Sequence, residues 1–149
     1  MDRAATVIRR RPLADLSVPG VPDLSDPEVQ ERLSRAGLPA FFKLVDAWQV
    51  RDDAARRLLG GVSNGVYYQL KRGEKKTLDQ DKLTRISLLV GIFKALNILY
   101  NRKLADAWIN LPNSNAMFEG QPPLAYLIRG GIPAFVRVRQ LVDARRGGR

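Results

Sequence analysis

The chain has 149 residues, of which 45% are apolar and 27% are charged, the balance of one folded domain or of a small domain with a second packed module. It contains no cysteine and no histidine, which excludes disulfides, cysteine zinc fingers, cysteine nucleophiles and imidazole-dependent triads. Its 25 basic and 15 acidic residues give a net charge of +10, which favours a nucleic acid or an acidic protein surface as partner.

The first 27 residues carry four prolines and no periodic apolar pattern, so we expect a mobile arm here. The segment has no apolar stretch of the kind that a secretory signal needs, and we expect the protein to stay in the cytoplasm. Its Arg9–Arg11 triplet is interpreted as a solvated charge run, with contact to DNA phosphates as the alternative.

Two separate helices are predicted directly after the arm. Asp26 and Pro27 suit the N-cap and first position of a short helix that ends before Gly37. A second helix is predicted after Pro39, because apolar residues recur at helical spacing up to Trp48.

A pair of short helices comes next. Acidic residues in the first turn and Gly60-Gly61 at the end indicate a helix over residues 52–59. Ser63 is a suitable N-cap for a second helix, Asn64 to about Arg72, which Gly73 ends. Two short helices joined by a tight turn that contains glycine are typical of a helix-turn-helix motif. An ordinary helical hairpin with solvated lysines is the alternative.

The second helix of this pair is the predicted DNA-reading element. In a helix-turn-helix it lies in the major groove, with its N-terminal residues at the base edges. Asparagine can pair with adenine, and glycine allows close approach. The candidate DNA-binding residues are Ser63, Asn64, Gly65 and Tyr68 toward the bases, and Lys71, Arg72, Lys75 and Lys76 toward the phosphates.

A long helix is predicted after this motif, opened by the capping box Thr77–Gln80. Apolar residues cover most of its circumference, which indicates a helix that is central to the fold or half buried in a subunit interface. We expect both, in a homodimer. The most apolar run, Ile86–Tyr100, has about 15 residues and contains Lys94 and Asn97, whereas a membrane span needs roughly 20 apolar residues.

The C-terminal third is predicted to contain further short helices. Pro123 and Pro133 suit helix starts, and Gly130-Gly131 suits a helix end. Residues 82–149 hold eleven basic and three acidic residues, so the excess of positive charge lies in the C-terminal half. No stretch alternates in the manner of a strand, and the predicted fold class is all-α.

Aromatic residues near the C-terminus are candidates for a protein interface, because rigid aromatic and arginine side chains anchor such interfaces. They are Trp108, Phe118 and Tyr126, with Arg129 nearby. Phe118 lies in a loop without periodic apolar companions and is expected to be exposed. Trp108 is either a partly exposed anchor or a core residue.

Several motifs follow one another in this part of the chain: the run Ala107–Asn113, then Phe118, Pro122-Pro123-Leu124, Leu127 and Gly130-Gly131. Together they strongly resemble the toxin-binding domain of the Xre/MbcA/ParS antitoxins. The run Arg85–Leu96 is similar to the helix that precedes that domain, and the resemblance covers about residues 45–146. The loop Ala116–Glu119 departs from the plainer glycine-rich turn of many relatives.

The resemblance implies a partner toxin with the RES fold, whose family members attack NAD. It also implies that the C-terminal module covers the entrance to the toxin's active site, and that the complex represses its own operon by binding promoter DNA. The predicted organisation is an arm over residues 1–27, a DNA-binding and dimerisation region over 28–100, and a toxin-binding domain over 101–149. The candidate toxin-binding residues are Trp108, Asn113, Phe118, Tyr126, Arg129, Arg145, Arg146 and Arg149.

The basic C-terminal residues have a more specific predicted role. A pocket built for NAD accepts phosphates, so Arg145, Arg146 or Arg149 can compete for the space of the dinucleotide, with a frayed, solvated tail as the alternative. We expect no catalytic residue, no metal and no cofactor. For the whole chain the alternatives are a transcriptional repressor with an unrelated partner- or ligand-binding domain, and an enzyme acting on nucleic acid, which the missing histidines and cysteines disfavour.

Overall fold

The computed structural model describes residues 22–147. Within that range the chain forms seven α-helices and two short 3-10 turns and has no strand, so the all-α prediction is confirmed. The predictions for Arg9–Arg11, for Arg149 and for nearly all of the arm lie outside the described residues. The helices are α1 (Pro27–Ala47), α2 (Asp52–Leu58), α3 (Asn64–Lys71), α4 (Gln80–Leu99), α5 (Arg102–Ala107), α6 (Pro123–Gly130) and α7 (Ile132–Arg146), and the 3-10 turns are Trp108–Asn110 and Ala116–Phe118.

The first helix is continuous, and the prediction of two helices separated at residues 37–39 is wrong. α1 runs through Pro39, which is exposed, as is Arg35, so water can reach the carbonyl that loses its helical partner. A Cβ on Gly37 would lie 3.4 Å from Cγ2 of Ile86, so this glycine lies in the contact with α4. Burial of one uninterrupted stripe on α1 outweighs the lost hydrogen bond.

The long helix begins two residues later than its predicted capping box. The N-cap of α4 is Asp79, whose side chain accepts from the backbone N–H of Lys82 at 3.0 Å. Leu78 is buried, and its N–H donates to Oγ of Ser34 at 2.8 Å, which holds this stretch against α1. The capping box at Thr77 is therefore wrong, because a tertiary contact takes the residue after it out of the helix.

α4 is the central helix of the fold. It packs against α1, α5 and α7, and its buried residues are Leu83, Ile86, Leu89, Ile92, Ala95 and Leu96. The prediction that an apolar helix of this kind is central is confirmed. None of the helices in residues 22–147 is long and apolar enough to cross a membrane.

One hydrophobic core extends from Leu38 on α1 to Val142 on α7, without a break between the two halves of the chain. The guanidinium of Arg139 on α7 lies directly over Gly91 on α4, so a side chain at this position would displace it. Near the other end, Nδ2 of Asn110 donates to the backbone oxygen of Trp48 at 2.7 Å. The C-terminal helices are thus held to the N-terminal ones by packing and by polar contacts.

Candidate functional site

The turn between α2 and α3 is a helix C-terminus of the Schellman type. The N–H of Gly61 donates to the oxygen of Arg56 at 2.8 Å, and that of Gly60 donates to the oxygen of Arg57 at 3.0 Å. Both glycines have positive φ, 95° and 86° for Gly60 and Gly61, a conformation that glycine adopts without steric cost. The chain therefore reverses abruptly, and α3 begins after a further two residues.

Helix α3 has one face in the core and one face in solvent. Ser63 caps it, with its hydroxyl accepting from the N–H of Val66 at 3.2 Å. Tyr67 and Leu70 are buried in the core. The outward residues are those that the sequence predicted for contact with bases: Ser63, Asn64 and Gly65 are exposed, and Tyr68 is 38% exposed.

One carboxylate, that of Asp52 on α2, holds three side chains of α3. It accepts hydrogen bonds from the hydroxyl of Tyr68 at 2.7 Å, from Nζ of Lys71 at 3.0 Å and from the hydroxyl of Tyr67 at 3.2 Å. Tyr68 and Lys71 are both candidate DNA contacts. The first turn of α2 thus fixes their orientation and places a negative charge beside them.

The ionisation of this cluster follows from the same hydrogen bonds. Donation by Tyr68, and then by Lys71, holds the pKa of Asp52 below its usual value. Acceptance by the carboxylate raises the pKa of the Tyr68 hydroxyl, and burial raises that of Tyr67. Near neutral pH the cluster therefore holds one carboxylate and two protonated phenols.

The other candidate phosphate contacts lie in and after the last turn of α3. Arg72 pairs with Glu74 at 2.8 Å, an exposed ion pair of small energetic weight. Lys75 and Lys76 are exposed and have no ion-pair partner within residues 22–147. They line a groove of about 690 Å³ between α1 and the segment after α3. All four predicted cations, Lys71 included, lie on the surface of this part of the chain.

The aromatic residues of the C-terminal module form a cluster in the interior. Phe118 is fully buried and makes edge-on contacts with the rings of Trp108 and Tyr126, at centroid distances of 6.1 and 5.4 Å. The prediction that Phe118 is exposed is wrong, because the 3-10 turn Ala116–Phe118 directs its ring inward onto Trp108. Trp108 is 6% exposed and is a core residue. The rings of Trp108 and Phe118 are therefore not accessible to a partner. Tyr126, the third member of the cluster, is half-buried.

The remaining candidates for toxin contact are polar. Oδ1 of Asn113 accepts from the N–H of Asn115 at 2.9 Å and closes a local turn. Arg129, at the end of α6, is exposed, and so are Arg145 and Arg146 in the last turn of α7. Arg129 lies close to the helix-turn-helix, where it lines the same pocket as Arg57 of α2. Arg145 and Arg146 do not line that pocket.

Comparison with known proteins also identifies a helix-turn-helix in this part of the chain. Residues 27–91 match the antitoxin Xre-like helix-turn-helix domain. An uncharacterized protein of Sinorhizobium fredii, y4oB, is 35% identical over 125 residues, which span 83% of this chain and 95% of the relative. Residues 27–91 therefore form an Xre-like helix-turn-helix domain, and the chain belongs to the same family as y4oB. No solved structure matches it significantly.

The matched part of the chain contains α1 to α3 and the first half of α4. The amino-acid sequence alone did not indicate the tertiary contacts of two residues near the surface of this part. Asp52 was interpreted only as a favourable charge at the start of a helix, and Arg85 only as part of a family-like run. Their partners on α3 and on α7 lie 15 to 50 residues away in sequence. Local patterns carry no signal for contacts of that range.

Proposed function

We propose that this chain is the antitoxin of a type II toxin–antitoxin module, which binds a RES-domain toxin that degrades NAD and blocks its active site. With the toxin it represses its own operon by binding promoter DNA, and it has no catalysis of its own. The observation that carries the proposal is the match of residues 27–91 to an antitoxin helix-turn-helix. The resemblance of residues 107–131 to a toxin-binding domain supports the choice of partner.

The exposed face of α3 supports the DNA-binding part of the proposal. In this proposal α3 enters the major groove with Ser63, Asn64 and Gly65 at the base edges, and Asn64 has the donor and acceptor needed to recognise adenine. Lys75 and Lys76 would contact phosphates on the flank. A homodimer would place two such helices on a two-fold symmetric operator, one helical turn apart.

The exposed arginines at the end of α7 support the toxin-binding part. Because Trp108 and Phe118 are buried, they act in this proposal as the scaffold of the module and not as contact residues. The contact surface would consist of Asn113, Tyr126 and Arg129. Arg145 and Arg146, together with Arg149, would reach the dinucleotide pocket, where guanidinium groups can replace the phosphate-binding interactions of NAD.

The first experiment tests neutralisation with the full chain. The antitoxin is co-expressed with the RES-type protein encoded beside it, the complex is isolated by size-exclusion chromatography, and cellular NAD is measured. The variant Arg145→Glu/Arg146→Glu is expected to lose protection of NAD. The control is Arg32→Glu/Lys43→Glu, which makes the same charge change at two exposed positions on α1.

Retained protection by the Arg145→Glu/Arg146→Glu variant would rule out the end of α7 as the blocking element. If the wild-type chain forms no complex at all, the transcriptional repressor with an unrelated partner becomes the better hypothesis. Removal of residues 101–149 is a poor test, because α7 shares the core with α4 and its loss would unfold the DNA-binding half as well.

A further inference from the structure

A basic pocket lies between the α2–α3 turn and the α6–α7 turn. It has a volume of about 340 Å³, and no acidic residue among residues 22–147 lines it. Four of its eight lining residues are glycines, in two pairs, one from each turn. We call it the arginine pocket, and its side chains are those of Arg57, Arg85, Arg129 and Ile128.

Arg85 is the least exposed of the three arginines that line the arginine pocket. Its Nε donates to Oδ2 of Asp81 at 2.9 Å, and its Nη1 donates to the backbone oxygen of Leu58 at 3.4 Å. The central carbon of the guanidinium lies over the ring of Phe135, 5.7 Å from its centroid. The side chain is only 17% exposed. Nη2 has no hydrogen-bond partner within residues 22–147 and lies on the side of Gly131.

The glycines keep this guanidinium uncovered. A Cβ on Gly60 would lie 3.1 Å from Oδ2 of Asp81 and 3.2 Å from Nε of Arg85. A Cβ on Gly131 would lie 3.9 Å from Nη2 of Arg85. Larger residues at these positions would fill the space in front of the guanidinium. Both glycines also have positive φ, so the two turns and the open pocket depend on the same residues.

The charge of the arginine pocket is largely unbalanced. Arg57 and Arg129 are exposed and have no ion pair with residues 22–147. The nearest carboxylate, that of Asp81, already pairs with Arg85. The guanidinium groups of Arg57 and Arg129 thus have no counter-charge within residues 22–147, and an anion bound between them would supply one.

We propose that the arginine pocket binds a phosphate group. Guanidinium groups form paired hydrogen bonds to phosphate oxygens, and three of them around a cavity of this volume leave room for a phosphate or a diphosphate. The phosphate belongs either to the DNA backbone or to a small phosphate compound. In both cases it bridges α2 to α6, so its binding joins the helix-turn-helix to the C-terminal module.

The first arm of the test uses inorganic phosphate and diphosphate with the full chain, by calorimetric titration at low ionic strength. Wild type is expected to bind one anion per chain. The variant Arg57→Gln/Arg129→Gln should bind about ten-fold more weakly or worse, since each charge-assisted hydrogen bond is worth at least about a factor of ten. The control Arg32→Gln/Arg137→Gln removes two exposed arginines outside the pocket and should bind as wild type does.

The second arm identifies the source of the phosphate with a short DNA duplex of mixed sequence. If the phosphate is that of DNA, the pocket variant should lower the slope of log K against log salt by about 1 per lost contact, and diphosphate should compete with the duplex. If the source is a small compound, the slope should not change, while diphosphate still raises the unfolding temperature of wild type more than that of the pocket variant.

Three outcomes would overturn the proposal. One is the absence of saturable binding to phosphate, diphosphate and DNA alike. Another is an equal loss in the pocket variant and in the control, which would indicate only general charge attraction. The third is binding of polyglutamate without binding of phosphate, which would indicate a site for acidic protein. None of these measurements needs the toxin, so their failure is distinguishable from failure of the proposed neutralisation.

Discussion

Asp52 links the folding of the helix-turn-helix to the charge of its outer face. Its carboxylate receives Tyr68 and Lys71, two of the residues proposed to contact DNA, as well as Tyr67 in the core. The same group that orients these side chains also opposes phosphates through its negative charge. Its removal should therefore affect stability and DNA affinity in opposite directions.

Substitution Asp52→Asn is expected to increase the affinity for a short duplex of mixed sequence several-fold at neutral pH. The change removes a negative charge beside α3 and frees Lys71, so the slope of log K against log salt should become steeper by about 1. Fluorescence anisotropy over a range of salt concentrations measures both values. Asp53→Asn is the matched control, since Asp53 lies in the same helical turn and, within residues 22–147, pairs only with Arg51, at 3.5 Å. An equal gain in both variants would contradict a specific role for Asp52.

The stabilising effect of Asp52 should depend on pH in one direction. Because the pKa of Asp52 is lowered in the folded chain, its contribution is complete above its usual pKa of 3.8 and is lost as the pH falls through the lowered value. The difference in free energy of unfolding between wild type and Asp52→Asn should therefore be constant at higher pH and shrink in acid. Urea unfolding at a series of pH values measures it. A difference that does not shrink would show that the hydrogen bonds survive protonation.

At the scale of the helices, the conformation at each helix C-terminus sets the direction in which the chain continues. α1, α2 and α3 all end in Schellman motifs, in which Gln49, Gly60 and Gly73 take the position with positive φ. α6 and α7 are joined by the single residue Gly131, with φ 66° and ψ −149°. That conformation is accessible to almost no residue except glycine. These few residues set the angles at which the helices leave one another.

Gly131→Ala is expected to lower the free energy of unfolding by about 1–3 kcal/mol, the usual cost of a disallowed backbone conformation. Urea unfolding followed by circular dichroism measures the loss. A change of less than about 0.5 kcal/mol would mean that the α6–α7 turn can adopt another conformation.

Gly65→Ala separates the stability of α3 from its proposed contact with DNA. Gly65 is exposed and has a helical backbone, and among residues 22–147 no atom outside its own helical surroundings lies within 4 Å of an added Cβ. The substitution should stabilise the fold by about 0.4–1 kcal/mol, which also makes it the control for Gly131. In the proposed complex the methyl group would face the bases, so binding to the operator fragment in a gel-shift assay should weaken. Unchanged binding would place Gly65 outside the contact.

At the scale of the whole molecule, the DNA-binding and C-terminal regions share one core. The two tryptophans report on its two parts, since Trp48 packs on Phe93 of α4 and Trp108 packs on Phe118. The division at residue 100 stays a prediction about roles, because the packing is continuous across it. An event at the C-terminal module can therefore reach the helix-turn-helix through α4, and through the contact of α2 with α6.

The shared core predicts one cooperative unfolding transition. Single-tryptophan variants Trp48→Phe and Trp108→Phe should each show a fluorescence midpoint in urea that coincides with the midpoint of circular dichroism for the same variant. Separate midpoints, with one tryptophan released at lower urea concentration, would show two independently folded units.

Most helix positions were predictable because their signals are local. Ser63 caps a helix, Pro123 begins one, and Gly73 ends one, as their chemistry indicates. The helix-turn-helix followed from such signals alone. The errors at Pro39 and Thr77 share one cause: the chain there is governed by packing between α1 and α4, which outweighs local preference.

The candidate functional residues also fall into those that the sequence could place and those that only the tertiary structure could. The amino-acid order was sufficient to place Asn64 and Gly65 on an outward face, since helical periodicity alone assigns Tyr67 and Leu70 to the core. Only the tertiary structure buried Phe118, joined Asp52 to α3, and brought Arg57, Arg85 and Arg129 around one pocket. These arrangements depend on residues far apart in sequence, and their geometry exists only once α4 has brought both halves of the chain together.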